Sequence, residues 1–234
     1  DEAVVARRMI ANGVTGIDAE FREDERLRRL KDEGMELASM YGMIHFLEPA
    51  KGAREADAFL ASAASHRAPR LMVIPDNFPP DCDREKALDG IIAGLADFTA
   101  RAKKEGFQVT IEDFGAASSP CSQIAPMQRM FDSIPDLGFT IDTGNYFHAG
   151  HGDDILDAFR LFRARIRHAH LKDRPAAAPQ GYAPLGQGAL PNERIVRELV
   201  AEGYDGWFTL EEHGAKDIAA ATYAAAAVLR CWLA

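Results

Sequence analysis

Cysteine is scarce in this chain. Its 234 residues include three cysteines, Cys82, Cys121 and Cys231, which is an odd number, and they stand at wide spacings without a CxxC pair. A disulfide framework needs paired cysteines, and a structural zinc site needs closely spaced thiols. The sequence therefore argues against both.

A long apolar run, an excess of positive charge and a glycine-rich nucleotide loop are also absent. No stretch reaches about 18 consecutive apolar residues, the length that suggests a membrane span. The net charge is -9 and the isoelectric point about 5.3, so the surface repels the phosphate backbone of nucleic acids. No GxGxxG motif follows a predicted strand, which weighs against a dinucleotide-binding fold. We expect a cytoplasmic protein without membrane or nucleic-acid partners.

The composition is that of a globular enzyme-sized domain. Hydrophobic residues make up 47% of the chain and charged residues 27%. The length is typical of one α/β barrel, and no linker or low-complexity segment divides the sequence. We therefore interpret residues 1–234 as a single domain.

Seven short apolar segments have the character of β-strands and alternate with amphipathic stretches. They are residues 16–21, 35–40, 71–75, 109–114, 139–144, 167–173 and 207–212. The clearest helical pattern is at 153–163, where Ile155, Leu156, Phe159 and Phe162 share one face. A longer helix is predicted at 87–105, ending at Gly106. Such alternation indicates a parallel sheet covered on both sides, either an open doubly wound sheet or a closed barrel.

The strand count bears on this choice. A barrel needs eight strands, and only seven are visible. Residues 1–13 have the pattern of a helix that follows a strand, so we expect the first strand to precede Asp1.

Four successive late strands end in side chains that could bind a metal ion. The candidates are Glu112, Asp142, the pair His168 and His170, and the pair Glu211 and Glu212. In a parallel barrel all strand ends of one polarity meet at one rim, so these residues converge. Several carboxylates at one place repel each other unless a cation lies among them. A single carboxylate at a strand end is often only a helix cap, so the joint pattern carries the prediction.

Five motifs occur in a specific order. They are IEDFG at 111–115, IDTGN at 141–145, HAHLKD at 168–173, PLGQG at 184–188 and WFTLEE at 207–212. Together they resemble the xylose isomerase-like TIM-barrel superfamily, and the resemblance runs from about residue 13 to the C-terminus. That group includes sugar isomerases and epimerases, inosose dehydratases, hydroxypyruvate isomerases and endonuclease IV. The resemblance implies an α/β fold, a (β/α)8 TIM barrel.

The resemblance also implies a metal site. Its epimerase branch maps the ligands of one divalent ion onto Glu112, Asp142, His170 and Glu211. The family pattern places the ligand histidine two residues before a Lys-Asp pair, which selects His170. Three carboxylates and one imidazole make a mostly hard site, which favours Mn²⁺ or Mg²⁺, with Co²⁺ and Zn²⁺ as alternatives.

The expected function is that of a metal-dependent sugar or polyol isomerase or epimerase. Glu112 and Glu211 are the candidate acid–base residues, one removing the proton next to a ketose carbonyl and the other returning it. A keto-polyol dehydratase would share the first step, and the sequence does not separate the two reactions. A non-catalytic sugar-binding barrel is the third alternative, and its signature would be loss of the ligands.

Further residues of the rim are candidates for binding substrate hydroxyls. They are His45, Asp76, Asn145, His148 and Lys172. Many family members have histidine where this chain has Asn145, and residues 174–188 contain no histidine, which argues against the three-metal site of endonuclease IV. The expected partner is a small sugar or polyol, and relatives often pair their barrels, which suggests a homo-oligomer.

Overall fold

The computed structural model describes residues 2–234 and builds its sheet from the seven predicted segments. The strands are β1 Gly16–Glu20, β2 Glu36–Met43, β3 Arg70–Ile74, β4 Gln108–Glu112, β5 Gly138–Asp142, β6 Ile166–Leu171 and β7 Phe208–Leu210. Their order in the sheet follows the chain, and every neighbouring pair is parallel.

Helices separate the strands and surround the sheet. In the described part of the chain they are α1 Glu2–Ala11, α2 Asp24–Asp32, α3 Pro49–His66, α4 Arg84–Lys104, α5 Ile124–Ser133, α6 Asn145–Ala149, α7 Ile155–Phe162, α8 Asn192–Ala201 and α9 Ile218–Leu233, with short 3₁₀ turns at Pro120–Ser122 and Arg163–Arg165. Within residues 2–234 no helix combines the length and hydropathy that a bilayer span requires.

The sheet is a nearly closed barrel of the TIM type. A doubly wound sheet reverses its strand order at a switch point, whereas this sheet runs from β1 to β7 without reversal. Its two edges approach each other closely, since a Cβ added to Gly16 would lie 2.6 Å from the Trp207 ring. The barrel prediction is therefore confirmed. The strand expected before Asp1, like Asp1 itself, lies outside the described residues and stays a prediction.

Element boundaries differ slightly from the sequence prediction. Helix α4 begins at Arg84 rather than at 87, because the Asp83 side chain accepts hydrogen bonds from the backbone N–H groups of Glu85 and Lys86, at 3.1 and 3.2 Å. The apolar periodicity that predicted the helix starts only after this polar cap. Strand β4 ends at Glu112, so the rim begins at this residue rather than at 114.

Alternation along the strands separates the core from the barrel interior. On β4 and β5, Ile111, Phe139 and Ile141 are buried in the main hydrophobic cluster, which also contains residues of the surrounding helices. The alternate residues Thr110 and Thr140 face each other, with their hydroxyl oxygens 2.8 Å apart. The same period directs the terminal residues of these strands to the barrel mouth.

A carboxylate anchors the long loop 174–190 beside that mouth. Asp173 accepts hydrogen bonds from four backbone N–H groups, those of Arg174, Gly186, Gly188 and Leu190, at 2.9–3.2 Å. Gly188 is required at its position, since a Cβ there would lie 2.0 Å from Asp173 Oδ1. Asp173 therefore has a structural role in shaping the rim.

Replacing Asp173 with asparagine is expected to loosen this loop. The amide group turns one acceptor into a donor that faces backbone donors, and each unsatisfied buried group costs about 1–3 kcal/mol. We expect a lower free energy of unfolding in urea and faster proteolysis within 174–190. The exposed Asp205, changed to asparagine, is the control. Unchanged stability and cleavage in Asp173→Asn would contradict the anchoring role.

Candidate metal centre

Four side chains from four successive strands meet at the barrel mouth. Glu112 and Asp142 are the last residues of β4 and β5, His170 lies in β6, and Glu211 directly follows β7. Each side chain offers one possible ligand atom, a nitrogen or an oxygen, and these four atoms all lie within 4.8 Å of one another. The register of the strands explains part of this convergence. Asp142 pairs with His170 across β5 and β6, and the Glu211 N–H donates to the Leu171 carbonyl of β6 at 2.9 Å.

Two cationic groups lie among the carboxylates. His170 Nδ1 is 2.6 Å from Glu112 Oε1 and 3.0 Å from Glu211 Oε1. Lys172 Nζ is 2.9 Å from Asp142 Oδ2 and 2.7 Å from Glu211 Oε2. Glu211 therefore contacts both the imidazole and the ammonium group, and it is the most exposed of the four candidate ligands, at 19%.

Backbone contacts hold the Asp142 carboxylate in place. Its Oδ1 accepts a hydrogen bond from the Gly144 N–H at 2.8 Å, while its own N–H donates to Asp113 Oδ1 at 2.7 Å. Gly144 also makes room for Lys172, because an added Cβ would lie 2.6 Å from Lys172 Cγ. Sequence reasoning missed Asp113, since a second carboxylate next to Glu112 has no distinguishing pattern.

Burial and mutual repulsion strongly perturb these groups. Burial raises the pKa of Glu112 to about 7 and outweighs the opposing charge and hydrogen bond of His170, while repulsion from Asp142 and Glu211 adds a smaller upward effect. Burial likewise raises the pKa of Asp142, although Lys172 opposes it. Burial acts the same way on Glu211, but the hydrogen bond and charge of His170, together with Lys172, hold its pKa well below the usual range. Perturbed groups gathered in one cavity are typical of functional sites.

The donor set fits one divalent cation. Oxygen and nitrogen ligands lie about 2.0–2.2 Å from an ion such as Zn²⁺, so donors on opposite sides are roughly 4–4.4 Å apart. The four donor atoms span at most 4.8 Å, and three of the four residues are buried. Only small side-chain movements would bring them to one ion. Three carboxylates and one imidazole suit the harder divalent cations.

The predicted substrate-binding residues divide into two groups. Asn145, His148 and Lys172 line a cavity of about 1000 Å³ together with Glu112, His170 and Glu211. Lys172 Nζ donates to Asn145 Oδ1 at 3.4 Å, and Asn145 Nδ2 donates to the Asp113 carbonyl at 2.6 Å.

The structure does not bring His45 and Asp76 to this cavity. The His45 Nδ1 lies 2.9 Å from a carboxylate oxygen of Glu55 in α3, and Asp76 Oδ2 accepts the Leu47 N–H at 3.2 Å. Both residues follow strands, as predicted, but each is engaged by a neighbouring element. Proximity to a strand end therefore does not decide where a loop side chain points.

Glu212 and His168, the other candidates that the strand pattern offered, have different partners. Glu212 accepts a hydrogen bond from the Tyr182 hydroxyl at 2.7 Å. His168 lies deeper in the barrel, where its ring contacts Asp18 at 2.8 Å and Arg70 at 2.8 Å. Sequence reasoning passed over Asp18 and Arg70, although a charged residue inside strand β1 was an available signal.

Comparisons with known proteins identify the family and the fold of the chain. The family model described as xylose isomerase-like TIM barrel matches residues 8–232. Among curated proteins, fructoselysine 3-epimerase of Escherichia coli O157:H7 is 29% identical over 59 residues, which cover 25% of this chain and 21% of that protein. The chain thus matches about a fifth of the length of that relative.

Solved structures match over almost the whole chain. The probable 3-DHS dehydratase AsbF from Bacillus anthracis has a TM-score of 0.79 at 16% identity, covering 98% of this chain and 92% of that one. The 3-keto-D-glucoside 4-epimerase YcjR from E. coli has a TM-score of 0.78 at 16% identity, covering 99% and 95%. At such identity the likeness concerns the fold.

Proposed function

The chain belongs to the xylose isomerase-like TIM-barrel family, and we propose that it is a divalent-metal-dependent isomerase or epimerase acting on a sugar or polyol-derived ketose. The observation that carries the proposal is the cluster of Glu112, Asp142, His170 and Glu211, of which Glu112, His170 and Glu211 line one cavity. Family resemblance and strand-end position predict these four residues independently of the distances, and the names of similar proteins point to sugar chemistry.

The four clustered residues would hold the ion. His170 would use Nδ1, because this nitrogen faces Glu112 and Glu211. We propose Mn²⁺ as the resident metal, with Mg²⁺, Co²⁺ and Zn²⁺ as alternatives that the same donors accept. When bound, the ion supplies Lewis-acid stabilisation of negative charge on the carbonyl and neighbouring hydroxyl oxygens of the substrate.

The protein groups would move the proton. One of the two glutamates removes the hydrogen next to the ketose carbonyl, and the other returns a proton, from the opposite face in an epimerisation. Glu112 and Glu211 suit this role because both line the cavity in which a ketose would bind. Both also lie beside the proposed metal ligand His170, at 2.6 and 3.0 Å from its Nδ1. Lys172 and Asn145 would orient a substrate hydroxyl.

A ketose incubated in D₂O with the metal-loaded protein tests the reaction. Proton and carbon NMR should show deuterium entering next to the carbonyl while the carbon skeleton is retained. Loss of water from a keto-polyol would instead identify a dehydratase, the second candidate, because that reaction starts with the same proton removal. Ketose binding without any exchange would contradict the proposal and favour a sugar-binding barrel.

A further inference from the structure

A second layer of polar residues lies beneath the candidate metal ligands. Asp18 of β1 reaches across the barrel to β6 and β7, where its Oδ2 accepts three hydrogen bonds. The donors are Nε2 of His168 at 2.8 Å, Nε2 of His170 at 2.9 Å and the Thr209 hydroxyl at 3.0 Å. The Asp18 side chain is 9% exposed, so a carboxylate is held here away from solvent.

Arg70 settles the direction of the His168 hydrogen bonds. Arg70 Nη1 lies 2.8 Å from His168 Nδ1. A guanidinium group can only donate, so Nδ1 is the acceptor, and the His168 proton resides on Nε2 and is donated to Asp18. The hydrogen bonds from Arg70 through His168 therefore run in one direction to Asp18, which also accepts the Nε2–H of His170.

A local irregularity in the sheet lies beside Asp18. The pairing of β1 with β2 runs from Ile17 opposite Leu37 to Asp18 opposite Ser39, so the register shifts between Ile17 and Asp18. Such bulges re-aim a side chain and are frequent next to active sites. The extra residue is Ala38 of β2, and the irregularity lies directly beside the carboxylate that contacts His170.

We propose that Asp18 is a positioning residue of the metal centre. By accepting the Nε2–H of His170 it selects the tautomer whose Nδ1 is free to bind a metal ion, and it fixes the ring so that Nδ1 faces Glu112 and Glu211. A carboxylate on the second nitrogen of a ligand histidine fixes tautomer and orientation and raises the basicity of the ligand. Arg70 and His168 hold Asp18 in turn. This inference rests on the metal site of the proposed function, but not on the reaction.

Metal affinity provides the main test. Mn²⁺ is titrated calorimetrically into metal-free wild-type protein and into Asp18→Ala and Asp18→Asn. Because loss of such a carboxylate typically costs about 10–100-fold in metal affinity, we expect that loss in Asp18→Ala. Asp18→Asn retains an acceptor oxygen without the charge and should bind with intermediate affinity.

The matched control is Thr110→Val. It removes another buried hydrogen bond inside the barrel, the one to Thr140, and keeps the side-chain shape. Its Mn²⁺ affinity should equal that of the wild type. Nitrogen-15 NMR of the Zn²⁺-loaded wild type should show His170 protonated on Nε2, and in Asp18→Asn that proton should exchange faster with solvent. Purely structural damage would not move this signal.

The outcomes separate the hypotheses. Equal Mn²⁺ affinity in the wild type and both Asp18 variants would overturn the positioning role, as would an equal loss in Thr110→Val. A His170 that coordinates Zn²⁺ through Nε2 would also overturn it, as would a wild type that takes up no metal. Mn²⁺ affinity that falls from the wild type to Asp18→Asn to Asp18→Ala would support the positioning role. If the metal-loaded wild type then left every ketose unchanged, the proposed reaction alone would be contradicted.

Discussion

Turnover of the ketose substrate should fall by about 10²–10⁴-fold when either Glu112 or Glu211 is replaced by glutamine, the range that a positioned acid–base group contributes. The amide has nearly the same shape as the carboxylate, but it cannot accept or return the proton. Each replacement also weakens the cluster that includes His170 and Asp142. The rate of solvent-hydrogen exchange, measured at saturating metal, isolates the chemical step from loss of metal affinity.

Glu212→Gln is the matched control for this experiment. Glu212 adjoins Glu211 and is buried, but its carboxylate is engaged by Tyr182 outside the ligand cluster. It should retain turnover within a few-fold of the wild type. Full turnover in either Glu112→Gln or Glu211→Gln would refute the assignment of that residue, and loss in Glu212→Gln of the same size would show that the effect is not specific to the cluster.

Removing the divalent ion should abolish most of the activity. Lewis-acid stabilisation is worth several kcal/mol, and about 1.36 kcal/mol corresponds to a factor of ten in rate. Chelation followed by dialysis should therefore lower conversion of the ketose at least about a hundredfold. Without the ion, the carboxylates Glu112, Asp142 and Glu211 are balanced by Lys172 and His170 alone.

Adding back Mn²⁺, Mg²⁺, Co²⁺ or Zn²⁺ separately identifies the metal. The productive ion should restore activity and also raise the thermal midpoint, since a ligand at a hundred times its dissociation constant stabilises the folded state by about 2.7 kcal/mol. Protein that contains no metal, takes none up and still converts the ketose would contradict metal dependence. Restoration by an ion other than Mn²⁺ would correct only the choice of metal.

The fold followed closely from local patterns. All seven predicted strands are present, and the amphipathic stretch at 153–163 became α7, with the Asp154 side chain capping its first turn. Apolar periodicity was sufficient because each strand packs one face against helices that cover the barrel. The exact ends were less predictable, since polar caps such as Asp83 determine where a helix begins.

The candidate site was predictable in kind but only partly in detail. Strand-end chemistry indicated Glu112 and Asp142 through their joint occurrence with the later strand ends, although a helix cap was an alternative for Glu112 alone and Asp113 lies next to it. Strand-end chemistry did not decide between His168 and His170 or between Glu211 and Glu212. Family resemblance was needed to choose His170 and Glu211. For His45, which does not line the cavity, the sequence offered no means of foreseeing the hydrogen bond with Glu55.

The sequence alone determined the strand–helix alternation, the parallel sheet and the rim on which carboxylates and histidines gather, because side-chain periods of 2 and 3.6 residues are local properties. The tertiary structure decided which of those side chains meet. Asp18 contacts His170 across 152 positions in the chain, and that contact depends on the curvature of the whole sheet, which brings β1 opposite β6. No local period encodes the distance across a barrel, since closure sums the twist and stagger of every strand.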